Sequence, residues 1–426
     1  MKEVRLGIAG LGTVAQGVLG ILAANQTMIA ARSGVVLTVT RIASRRLKEN
    51  VDLAGATFST DLSDLYKHDD VDLVVELIGG DTIAKDFIEA SLAAGKPVVT
   101  ANKAVIAKHG NTLLGEFQGT ALAFEAAVAG AIPIVAAIAQ GLVANRFEHV
   151  VGIINGTCNY ILTAMQEDGA AFADALQSAQ TLGYAEADPT FDVEGIDAAH
   201  KLAIVLGLAF DAPFNFADIY VEGITKITSD DIAYADELGY RIKHLGIARQ
   251  TQAGIEARVH PTLVPKSQLI ASVNGVQNAV LVKCDAAANT MYSGPGAGGA
   301  ATASAVLADV VALGQHLHTP AQDRHRREVA EQTILPIDAV HSAHYLRIPT
   351  RDEPGVFAQV ANALSQHGIS IEAAIQKEPR ASQDLVSIVI LTQVTLEAEM
   401  RAALQQVQAL PQVGGTIARI RVETLD

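Results

Sequence analysis

The segment 179–201 sets a series of carboxylates in front of a single lysine. Its sequence is AQTLGYAEADPTFDVEGIDAAHK, in which the acidic residues Glu186, Asp188, Asp192, Glu194 and Asp197 precede Lys201. A lysine held beside carboxylates that set its protonation can give and take protons near neutral pH. These residue types therefore indicate acid–base chemistry.

Two elements must position these side chains, a loop and a helix. Pro189 and Gly195 break the first part of the segment, and the residues at 193–210 predict a helix. Asp197 and Lys201 are four residues apart on that helix, so they share a face and can pair. The turns after Lys201 are almost entirely apolar, so we expect the pair where the helix enters a core. A structural ion pair is the alternative reading of the same spacing.

The N-terminus reads as a strand followed by a glycine turn. The apolar run Val4–Ala9 precedes a G-x-G-x-x-A sequence at the start of a predicted helix. The glycines permit a tight turn and the close approach of a pyrophosphate to the helix N-terminus. This context predicts a dinucleotide site at Gly10, Leu11, Gly12, Thr13 and Val14.

The end of the second predicted strand, Val35–Ile42, indicates which dinucleotide is bound. A site that prefers NAD has an acidic residue there for the ribose 2′-hydroxyl. Here the strand is followed by Ala43-Ser44-Arg45-Arg46, and Arg45 suits a 2′-phosphate. We therefore expect NADP(H) as the cofactor, with NAD(H) as a second candidate. Solvated arginines without a ligand are the alternative.

Two further strands place polar residues at one edge of the same sheet. Val71–Leu77 and Pro97–Thr100 are continuous apolar runs, as expected for parallel strands buried on both faces, and a helix at 84–93 connects them. Ligands bind at the carboxyl ends of such strands. The residues there that we assign to the cofactor site are Ile78, Gly79, Thr100, Asn102 and Lys103. An exposed lysine at a helix start is the alternative for Lys103.

A second turn joins the strand His149–Ile154 to a helix that ends near Gln166. The turn at 155–157, Asn-Gly-Thr, offers N–H groups and a hydroxyl at a helix N-terminus, which is a seat for a carboxylate. Short alternating segments at 241–249, 255–260 and 279–283 predict a sheet in this part of the chain. The glycine loop 294–299 then precedes a helix at 301–317. These elements predict an α+β domain that binds the substrate.

The region after residue 342 has the pattern of a βαββαβ unit. Its predicted elements are the strand 344–350, the helix 356–367, the strands 369–376 and 384–392, the helix 396–409 and the strand 416–422. The charged and polar stretch before it predicts a linker. Every candidate catalytic residue lies upstream, so we expect a chain cut after about Ile334 to remain active.

The order of Ala, Gly-aromatic, Asp-Pro, Asp-Val, Gly, Asp and Lys in segment 179–201 resembles the signature segment of homoserine dehydrogenases. The resemblance extends over nearly the whole chain. It implies an enzyme that interconverts L-homoserine and L-aspartate 4-semialdehyde with a nicotinamide cofactor, in the biosynthesis of threonine, methionine and isoleucine. Lys201 would act as the acid–base residue and Asp197 would orient it. Lys103 would polarise the reacting carbonyl, although the roles of the two lysines can be exchanged.

The resemblance also implies how the ligands are held. Glu186 and Asp192 would bind the substrate ammonium group, and the turn Gly156-Thr157 would bind its carboxylate. Gly296, in the glycine loop, would return to the cofactor. The residues that would ring a monovalent cation, Na+ or K+, are Glu125 and, through their main-chain carbonyls, Val128, Gly130 and Ile132.

By the same resemblance, the C-terminal unit is an amino-acid-sensing ACT domain. Its effector site would lie at Asp352 and Gly355, and threonine is the first effector to consider; dimerisation alone is the other role open to this unit. We predict a Rossmann-type NADP-binding domain at 1–132 with about 300–317, a substrate-binding and dimerisation domain at 133–299, a linker at 318–342 and an ACT-like domain at 343–426. We expect a homodimer or homotetramer.

Two other functions fit parts of the sequence. An acylating semialdehyde dehydrogenase needs an activated cysteine and a histidine base, for which Cys158 and His149 are the candidates. A protein that only senses nucleotides and amino acids would not need the acid–lysine segment. Turnover of NADPH with the semialdehyde separates the three, because an acylating enzyme requires phosphate or coenzyme A and a sensor only binds.

Composition limits the partners and the compartment. The net charge of −15 over 426 residues argues against nucleic acid or an anionic membrane as partner. Cys158 and Cys284 provide no disulfide framework, and the N-terminus does not read as a signal peptide, so we expect a cytoplasmic protein. The uncharged run 126–144 is long enough for a membrane span but contains Pro133, and we expect a buried strand end, turn and helix there.

Overall fold

The computed structural model describes residues 1–117, 120–317, 329, 332–377 and 385–425. They pack into two compact units. The first unit contains Met1–Ile154, Ala199–Ala217 and Gln277–Gln332, and the second contains Asn155–Ala198, Asp218–Val276 and Thr333–Asp426. Much of the linker predicted at 318–342 lies outside the described residues.

A six-stranded parallel sheet forms the N-terminal part of the first unit. Its strands are β1 (Lys2–Ala9), β2 (Val35–Ala43), β3 (Thr57–Ser59), β4 (Leu73–Glu76), β5 (Val98–Thr100) and β6 (Leu122–Ala123), in the order β3-β2-β1-β4-β5-β6. The helices between them are α1 (Thr13–Ser33), α2 (Asp64–Lys67), α3 (Thr82–Ala93) and α4 (Lys103–Glu116). The strand order reverses at β1, which is the topology of a Rossmann-type sheet. The predicted fold class is confirmed.

The chain after this sheet is irregular before it becomes helical. A 3-10 turn at Glu125–Ala127, the short helix α5 (Ile134–Ala136) and a π-helical turn at Ala137–Gly141 interrupt the uncharged run. The next elements are β7 (Phe147–Ile153), α6 (Gly156–Glu167), α7 (Phe172–Thr181), α8 (Thr190–Val193) and α9 (Ile196–Phe210). The predicted helix start at Val193 is wrong, because Gly195 adopts a left-handed conformation (φ 83°) that separates α8 from α9.

Long strands dominate the region that follows. Its elements are β8 (Tyr220–Val221), α10 (Ser229–Glu237), β9 (Tyr240–Gln250), β10 (Ile255–Pro265), β11 (Gln277–Cys284), β12 (Ala288–Pro295) and α11 (Gly299–His316). In the first unit, β7, β11 and β12 form an antiparallel sheet with β11 in the middle. In the second unit, β9 and β10 pair antiparallel. The predicted alternation in these two strands is wrong, because both are buried along most of their length.

Helix α11 packs back on the N-terminal sheet, as predicted. Its residues Ala303, Val306 and Val310 belong to the same hydrophobic core as Leu6 and Ile8 of β1. This core also includes buried residues of α1, so the sheet carries two long helices on the face where the glycine turn begins α1.

The C-terminal region folds as the predicted βαββαβ unit. Its elements are β13 (His341–Thr350), α12 (Val356–Gln366), β14 (Ile371–Gln376), β15 (Val386–Thr392), β16 (Thr395–Leu396), α13 (Glu397–Gln408) and β17 (Ala418–Val422). The antiparallel sheet has the order β17-β13-β15-β14, and its core includes Leu346, Val360 and Met400. Strand β17 also pairs in parallel with β10. This pairing joins the C-terminal sheet to β9 and β10 within the second compact unit.

Among the described helices, α1 alone is long and apolar enough to meet the length and composition test for a membrane span. A helix that packs in a protein core meets the same test, and Ala15, Val18 and Leu19 of α1 are buried in the core of the sheet. The test is therefore weak evidence for a membrane.

Candidate active site

A cavity of about 620 Å³ opens at the carboxyl ends of β1, β2 and β4. This is the edge of the sheet next to the reversal of strand order, where ligands bind in open α/β folds. The predicted cofactor residues that line the cavity are Gly10, Leu11, Gly12, Arg45, Ile78 and Gly79. The cavity is therefore the candidate dinucleotide site.

The glycine turn after β1 leaves room for a phosphate group. Gly10 has φ 98°, and a Cβ on it would lie 2.5 Å from the main-chain oxygen of Leu77. A Cβ on Gly12 would meet no atom within 4 Å, so the backbone there faces open space. Thr13 and Val14 begin α1 directly after Gly12. The first N–H groups of a helix have no partner within the helix, and the helix dipole favours an anion beside them.

Basic side chains form the wall of the cavity after β2. Arg45, Arg46 and Lys48 line it, while Ala43 and Ser44 occupy the strand end where an NAD-preferring site has a carboxylate. The three basic residues are exposed, so they can meet a phosphate without burying an unpaired charge. Arg46 and Lys48 were not among the predicted site residues, and the basic run in the sequence is the signal that points to them.

A buried carboxylate, Glu76, organises the loop after β4. Its oxygens accept the N–H of Ile78 (2.7 Å) and the hydroxyl of Thr100 (2.5 Å), and burial raises its pKa. Asn102 extends the network, because its Nδ2 donates to the carbonyl of Gly80 (2.6 Å). Thr100 and Asn102 thus fix the loop that borders the cavity. The sequence prediction included these two residues and missed Glu76, which reads as the polar end of an apolar strand.

The glycine loop before α11 lies against the segment after β6. A Cβ on Gly130 (φ 58°) would lie 2.5 Å from the carbonyl carbon of Gly296. The N–H of Ala131 donates to the carbonyl of Pro295 (3.0 Å), and a Cβ on Gly296 would collide with the side chain of Asn278. Gly296 is therefore held within the first unit, although it is not among the residues that line the cavity.

The predicted cation residues surround a strained turn. Ala129 and Gly130 both have left-handed backbone conformations, with φ 54° and 58°. Glu125 is buried, and its carboxylate accepts two N–H groups at the start of α5, at 2.8 and 2.7 Å. Burial raises the pKa of Glu125 to about 7.

Main-chain carbonyls are what this turn offers to a cation. Both carboxylate oxygens of Glu125 are engaged by N–H groups, and the described part of the chain contains no group of three or more His, Cys, Asp and Glu side chains that could hold a metal. The carbonyls of Val128, Gly130 and Ile132 are the candidate ligands, and that of Ile132 also accepts the N–H of Ile134 (2.8 Å). Such a set fits Na+ or K+ better than a transition metal, which prefers nitrogen and sulfur ligands.

One buried amide, Asn155, gathers the predicted carboxylates of the second unit. Its Nδ2 donates to Oδ1 of Asp192 (2.7 Å) and to Oδ2 of Asp197 (2.8 Å). Its Oδ1 accepts the N–H of Cys158 (2.8 Å), so the same side chain caps α6. Asn155 and Asp197 are only 4% and 2% exposed. The sequence prediction missed this role, because only the cap is visible in the local sequence.

The first residues of α6, Gly156 and Thr157, lie next to this amide. The hydroxyl of Thr157 donates to the carbonyl of Tyr184 (2.5 Å), so it ties α6 to the loop after α7. The main-chain N–H groups of the turn are then the better candidates for binding a carboxylate. The structure does not bring Glu186 into the cluster around Asn155, because its side chain is exposed and its carbonyl accepts Nε2 of Gln180 (3.0 Å).

Cys158 does not have the surroundings of a catalytic thiolate. It is fully buried, and its thiol donates to the carbonyl of Asp192 (3.2 Å). His149, its predicted base, is also buried, within strand β7. A nucleophilic cysteine needs partial exposure and nearby positive charge. The structure therefore disfavours the acylating alternative.

Both candidate proton donors belong to the first unit. Lys201 lies on α9 one turn after Asp197 and is partly buried, and its Nζ donates to the carbonyl of Ile154 (2.8 Å). An ammonium group carries three N–H donors, and this one is engaged by a neutral carbonyl that does not take its proton. Lys103 is the first residue of α4, directly after Asn102.

The predicted effector residues lie in an exposed loop before α12. Asp352 and Gly355 are both exposed, and Gly355 has φ 91° at the N-cap of the helix. A residue with a side chain would be strained in that conformation, which explains a glycine at this helix start.

The Rossmann-type sheet, with a cavity at the carboxyl ends of its strands, is the arrangement of a dinucleotide-binding protein. The sequence matches the family description "Homoserine dehydrogenase, NAD binding domain" at residues 10–124, "Homoserine dehydrogenase" at 133–311 and "ACT domain" at 344–412. The chain belongs to the homoserine dehydrogenase family.

Relatives of the chain agree with it over their full lengths. The chain is 49% identical to the homoserine dehydrogenase of Pseudomonas aeruginosa and 47% identical to that of Neisseria gonorrhoeae, with 100% of both chains covered in each comparison. The crystal structure of a homoserine dehydrogenase from Thiobacillus denitrificans has a TM-score of 0.95 at 48% identity, covering 100% of this chain and 99% of that one.

Proposed function

We propose that the chain catalyses the NADP(H)-dependent interconversion of L-aspartate 4-semialdehyde and L-homoserine, in the biosynthesis of threonine, methionine and isoleucine. The observation that carries the proposal is that Asn155 holds two carboxylates, that of Asp192 in α8 and that of Asp197 in the first turn of the helix that bears Lys201. An amino acid with a carbonyl at its far end needs a negative site for its ammonium group and a cationic donor for its reacting oxygen. This segment supplies both.

The amino-acid end of the substrate binds at the start of α6. Asp192 is only partly buried and provides negative charge for the ammonium group, with Glu186 as the second carboxylate from the exposed loop. The N–H groups of Gly156 and Thr157 bind the substrate carboxylate, because the first turn of a helix favours an anion. The amide of Asn155 donates to both aspartates and so fixes their orientation.

Lys201 protonates the substrate oxygen in the direction of reduction. NADPH, when bound, would supply a hydride to the carbonyl carbon, and the carbonyl oxygen would then gain negative charge. The ammonium group of Lys201 donates its proton to that oxygen, which gives the alcohol, and Asp197 one turn earlier orients the lysine and favours its charged form. In the reverse direction the neutral amine takes the proton from the alcohol. Lys103 polarises the same oxygen, and it is the alternative donor.

The cofactor preference follows from the wall after β2. Arg45, with Arg46 and Lys48, supplies positive charge for a 2′-phosphate, and there is no carboxylate at this strand end to bind the 2′-hydroxyl of NAD(H). The enzyme therefore prefers NADP(H) and uses NAD(H) less well. The predicted contacts of Gly10 to Val14, Ile78, Gly79, Thr100, Asn102 and Gly296 with the cofactor belong to the same proposal.

Three further features complete the proposal. Na+ or K+ binds the main-chain oxygens of the turn at 125–132 and compensates the charge of Glu125. An amino-acid effector, threonine first, binds the ACT domain at the exposed helix start that contains Asp352 and Gly355. The enzyme works in the cytoplasm as a homodimer or homotetramer. Edge strands and a βαββαβ unit are surfaces that such assemblies use.

Oxidation of NADPH by the purified chain tests the proposal. With L-aspartate 4-semialdehyde as the only other reactant, we expect steady loss of NADPH absorbance and formation of homoserine. Formation of NADPH from NADP+ and the semialdehyde, dependent on phosphate or coenzyme A, would instead support the acylating alternative. Binding of NADPH without any turnover would contradict the proposed enzyme and leave a sensor.

A further inference from the structure

The last strand of the chain carries a row of charged residues on one buried face. Arg419 and Arg421 are two residues apart in β17, and Glu423 follows the end of the strand at the same spacing, so the three side chains alternate with their neighbours onto one face. The side chain of Arg421 is only 1% exposed. Its Nε and Nη2 donate to the carboxylate of Glu397 at 2.7 and 3.0 Å, and its Nη1 lies 3.0 Å from Oε2 of Glu222. Arg421 thus joins a carboxylate of the ACT domain to one outside it.

Glu222 is fixed by several partners directly after β8. The hydroxyl of Tyr220 donates to it, and the ring of Tyr220 lies 5.0 Å from the guanidinium carbon of Arg421. Arg419 adds a second cation, with Nη2 3.4 Å from Oε1 of Glu222. Burial opposes ionisation of Glu222, but attraction to Arg421 and Arg419 together with the hydrogen bond from Tyr220 outweighs it, so the pKa of Glu222 is lowered. Glu222 is therefore an ionised, oriented carboxylate.

The main chain of Glu222 continues into contacts with the turn between α8 and α9. The carbonyl of Glu222 accepts a hydrogen bond from Nε2 of His244 (3.0 Å), in the tautomer that carries a proton there. A Cβ on Gly195 would lie 3.1 Å from Cε1 of the same histidine ring. The N–H of Ile224 donates to the carbonyl of Val193 (2.8 Å). The imidazole of His244 and the main chain of segment 222–224 thus pack against the turn at 193–195.

Two further contacts join segment 222–225 to the turn at 193–195. A Cβ on Gly223 would collide with the carbonyl oxygen of Val193, so the two backbones already touch. The hydroxyl of Thr225 donates to the carboxylate of Glu194 (3.1 Å). Segment 222–225 is therefore packed against turn 193–195, and Asp197 follows two residues later on α9. A shift of Glu222 must move this turn, because protein interiors have few voids that could absorb it.

We propose that Arg421 and Glu222 are positioning residues for the substrate site: the C-terminal strand holds Glu222, and segment 222–225 holds the turn that places Asp192 and Asp197 around Asn155. The inference rests on the proposed function and adds the route by which the ACT domain acts on it. A ligand of the ACT domain that moves β17 changes the fit of the substrate ammonium group and the orientation of Lys201, while the cofactor cavity at the carboxyl ends of β1, β2 and β4 is unaffected.

The test compares Glu222→Gln and Arg421→Lys with a control, Arg401→Gln. The glutamine keeps the size of Glu222 and removes its charge, and the lysine keeps the charge of Arg421 and removes its fork of N–H donors. Arg401 lies in the same ACT domain and its ion pair is with Asp338 (2.6 Å), on the surface. For each variant, kcat, the KM for homoserine, the KM for NADP+ and the thermal midpoint of unfolding are measured.

We expect Glu222→Gln and Arg421→Lys to lower kcat/KM for homoserine at least ten-fold, with the KM for NADP+ within two-fold of wild type. The control should match wild type in every parameter. A merely structural role would lower the midpoint and the amount of active enzyme without changing the KM for homoserine. Wild-type kinetics in Glu222→Gln, or equal losses for both substrates, would overturn the inference.

Gly223→Ala provides a second probe that removes no charge. The added methyl group pushes on the carbonyl of Val193, so we expect the same selective loss for homoserine. If both Glu222→Gln and Gly223→Ala keep wild-type constants for homoserine, segment 222–225 does not position the site. A wild-type enzyme that shows no turnover at all would instead refute the proposed function, which separates that failure from failure of this inference.

Discussion

Replacing Asn155 by aspartate tests the carboxylate cluster most severely while changing the shape least. The substitution keeps the side-chain size, and aspartate is as good an N-cap as asparagine, so the bond to the N–H of Cys158 (2.8 Å) survives. The amide donors to Asp192 and Asp197, at 2.7 and 2.8 Å, are lost. In their place a third carboxylate faces two others in a buried site.

The two lost bonds set the size of the effect. A hydrogen bond to a charged group contributes about 1.5–3 kcal/mol, so two of them contribute about 3–6 kcal/mol. These two bonds hold the carboxylates in the arrangement that the transition state requires. Their loss should therefore lower kcat/KM for homoserine in Asn155→Asp by about 10²–10⁴-fold, since 1.36 kcal/mol corresponds to a factor of ten. Protonation of one of the three carboxylates restores a donor. The residual activity of Asn155→Asp should therefore improve, relative to wild type, as the pH falls.

Steady-state kinetics of homoserine oxidation provide the assay, with fluorescence titration of NADPH as a check on the cofactor site. Asn274→Asp is the matched control, because it makes the same change in an exposed turn where the amide oxygen accepts from Lys243 (2.9 Å). We expect the control to behave as wild type and NADPH binding to be unchanged in both. A wild-type kcat/KM in Asn155→Asp would refute the role of the amide.

Three other changes test separate parts of the structure. Arg45→Ala should raise the KM for NADPH far more than that for NADH, because the lost phosphate contact contributes about 1.5–3 kcal/mol to the binding of NADPH alone. An equal effect on both cofactors would mean that the arginine only shapes the wall of the cavity. Because the pKa of Glu125 is about 7 in the folded chain and 4.5 in the reference state, its stabilising contribution is present below pH 4.5 and is lost as the pH rises through 7, by about 3 kcal/mol. Denaturant unfolding should show this loss, K+ or Na+ should reduce it, and Glu125→Gln should remove it; the same profile in the variant would contradict the assignment. Ending the chain after Ile334 should remove any inhibition by threonine that the wild type shows. It should also lower the thermal midpoint of unfolding strongly. A truncated enzyme with an unchanged midpoint would show that the second unit does not need the C-terminal strands.

The expectation for the truncated chain changes because of one buried arginine. Arg258 of β10 is fully buried, and its counter-charges are Glu256 and Glu423. Removal of β17 would leave part of that charge without a partner, and breaking a buried pair costs about 3–5 kcal/mol. From the sequence alone the C-terminal unit looks separable, because every candidate catalytic residue lies upstream of the predicted linker. Only the parallel pairing of β17 with β10 shows that the C-terminal strand belongs to the second compact unit.

Local patterns account for what the sequence predicts correctly. The structure contains the predicted glycine turn, the apolar strands and the βαββαβ order of elements. Each of these features depends on residues that are neighbours in the chain. The start of α9 was the exception among local features: Gly195 was predicted as a break, but the helix was predicted from residue 193, before this glycine. The misses at the site are residues whose partners are far away in sequence. Asn155 bonds to Asp192 and Asp197, and nothing near it in the chain shows this.

The charged residues that the sequence analysis selected differ in burial and in hydrogen-bond partners. Asp197 is buried in a network, which fits a residue that orients another. Glu186 stays exposed, so a substrate contact requires the loop after α7 to carry it to the ligand. Spacing predicts which residue types share a helix face. It does not predict which loop carboxylate will reach a substrate.

The single-turnover rate of NADPH oxidation with saturating L-aspartate 4-semialdehyde tests the central claim most directly. Lys201→Met and Lys103→Met remove one candidate donor each and keep the length of the side chain. If Lys201 is the proton donor, Lys201→Met loses about 10²–10⁴-fold in this rate, with the dissociation constant for NADPH near that of wild type. Lys103→Met should then lose less. A Lys201→Met enzyme that keeps the wild-type rate, beside a Lys103→Met enzyme that loses it, would contradict the account and assign the donor to Lys103.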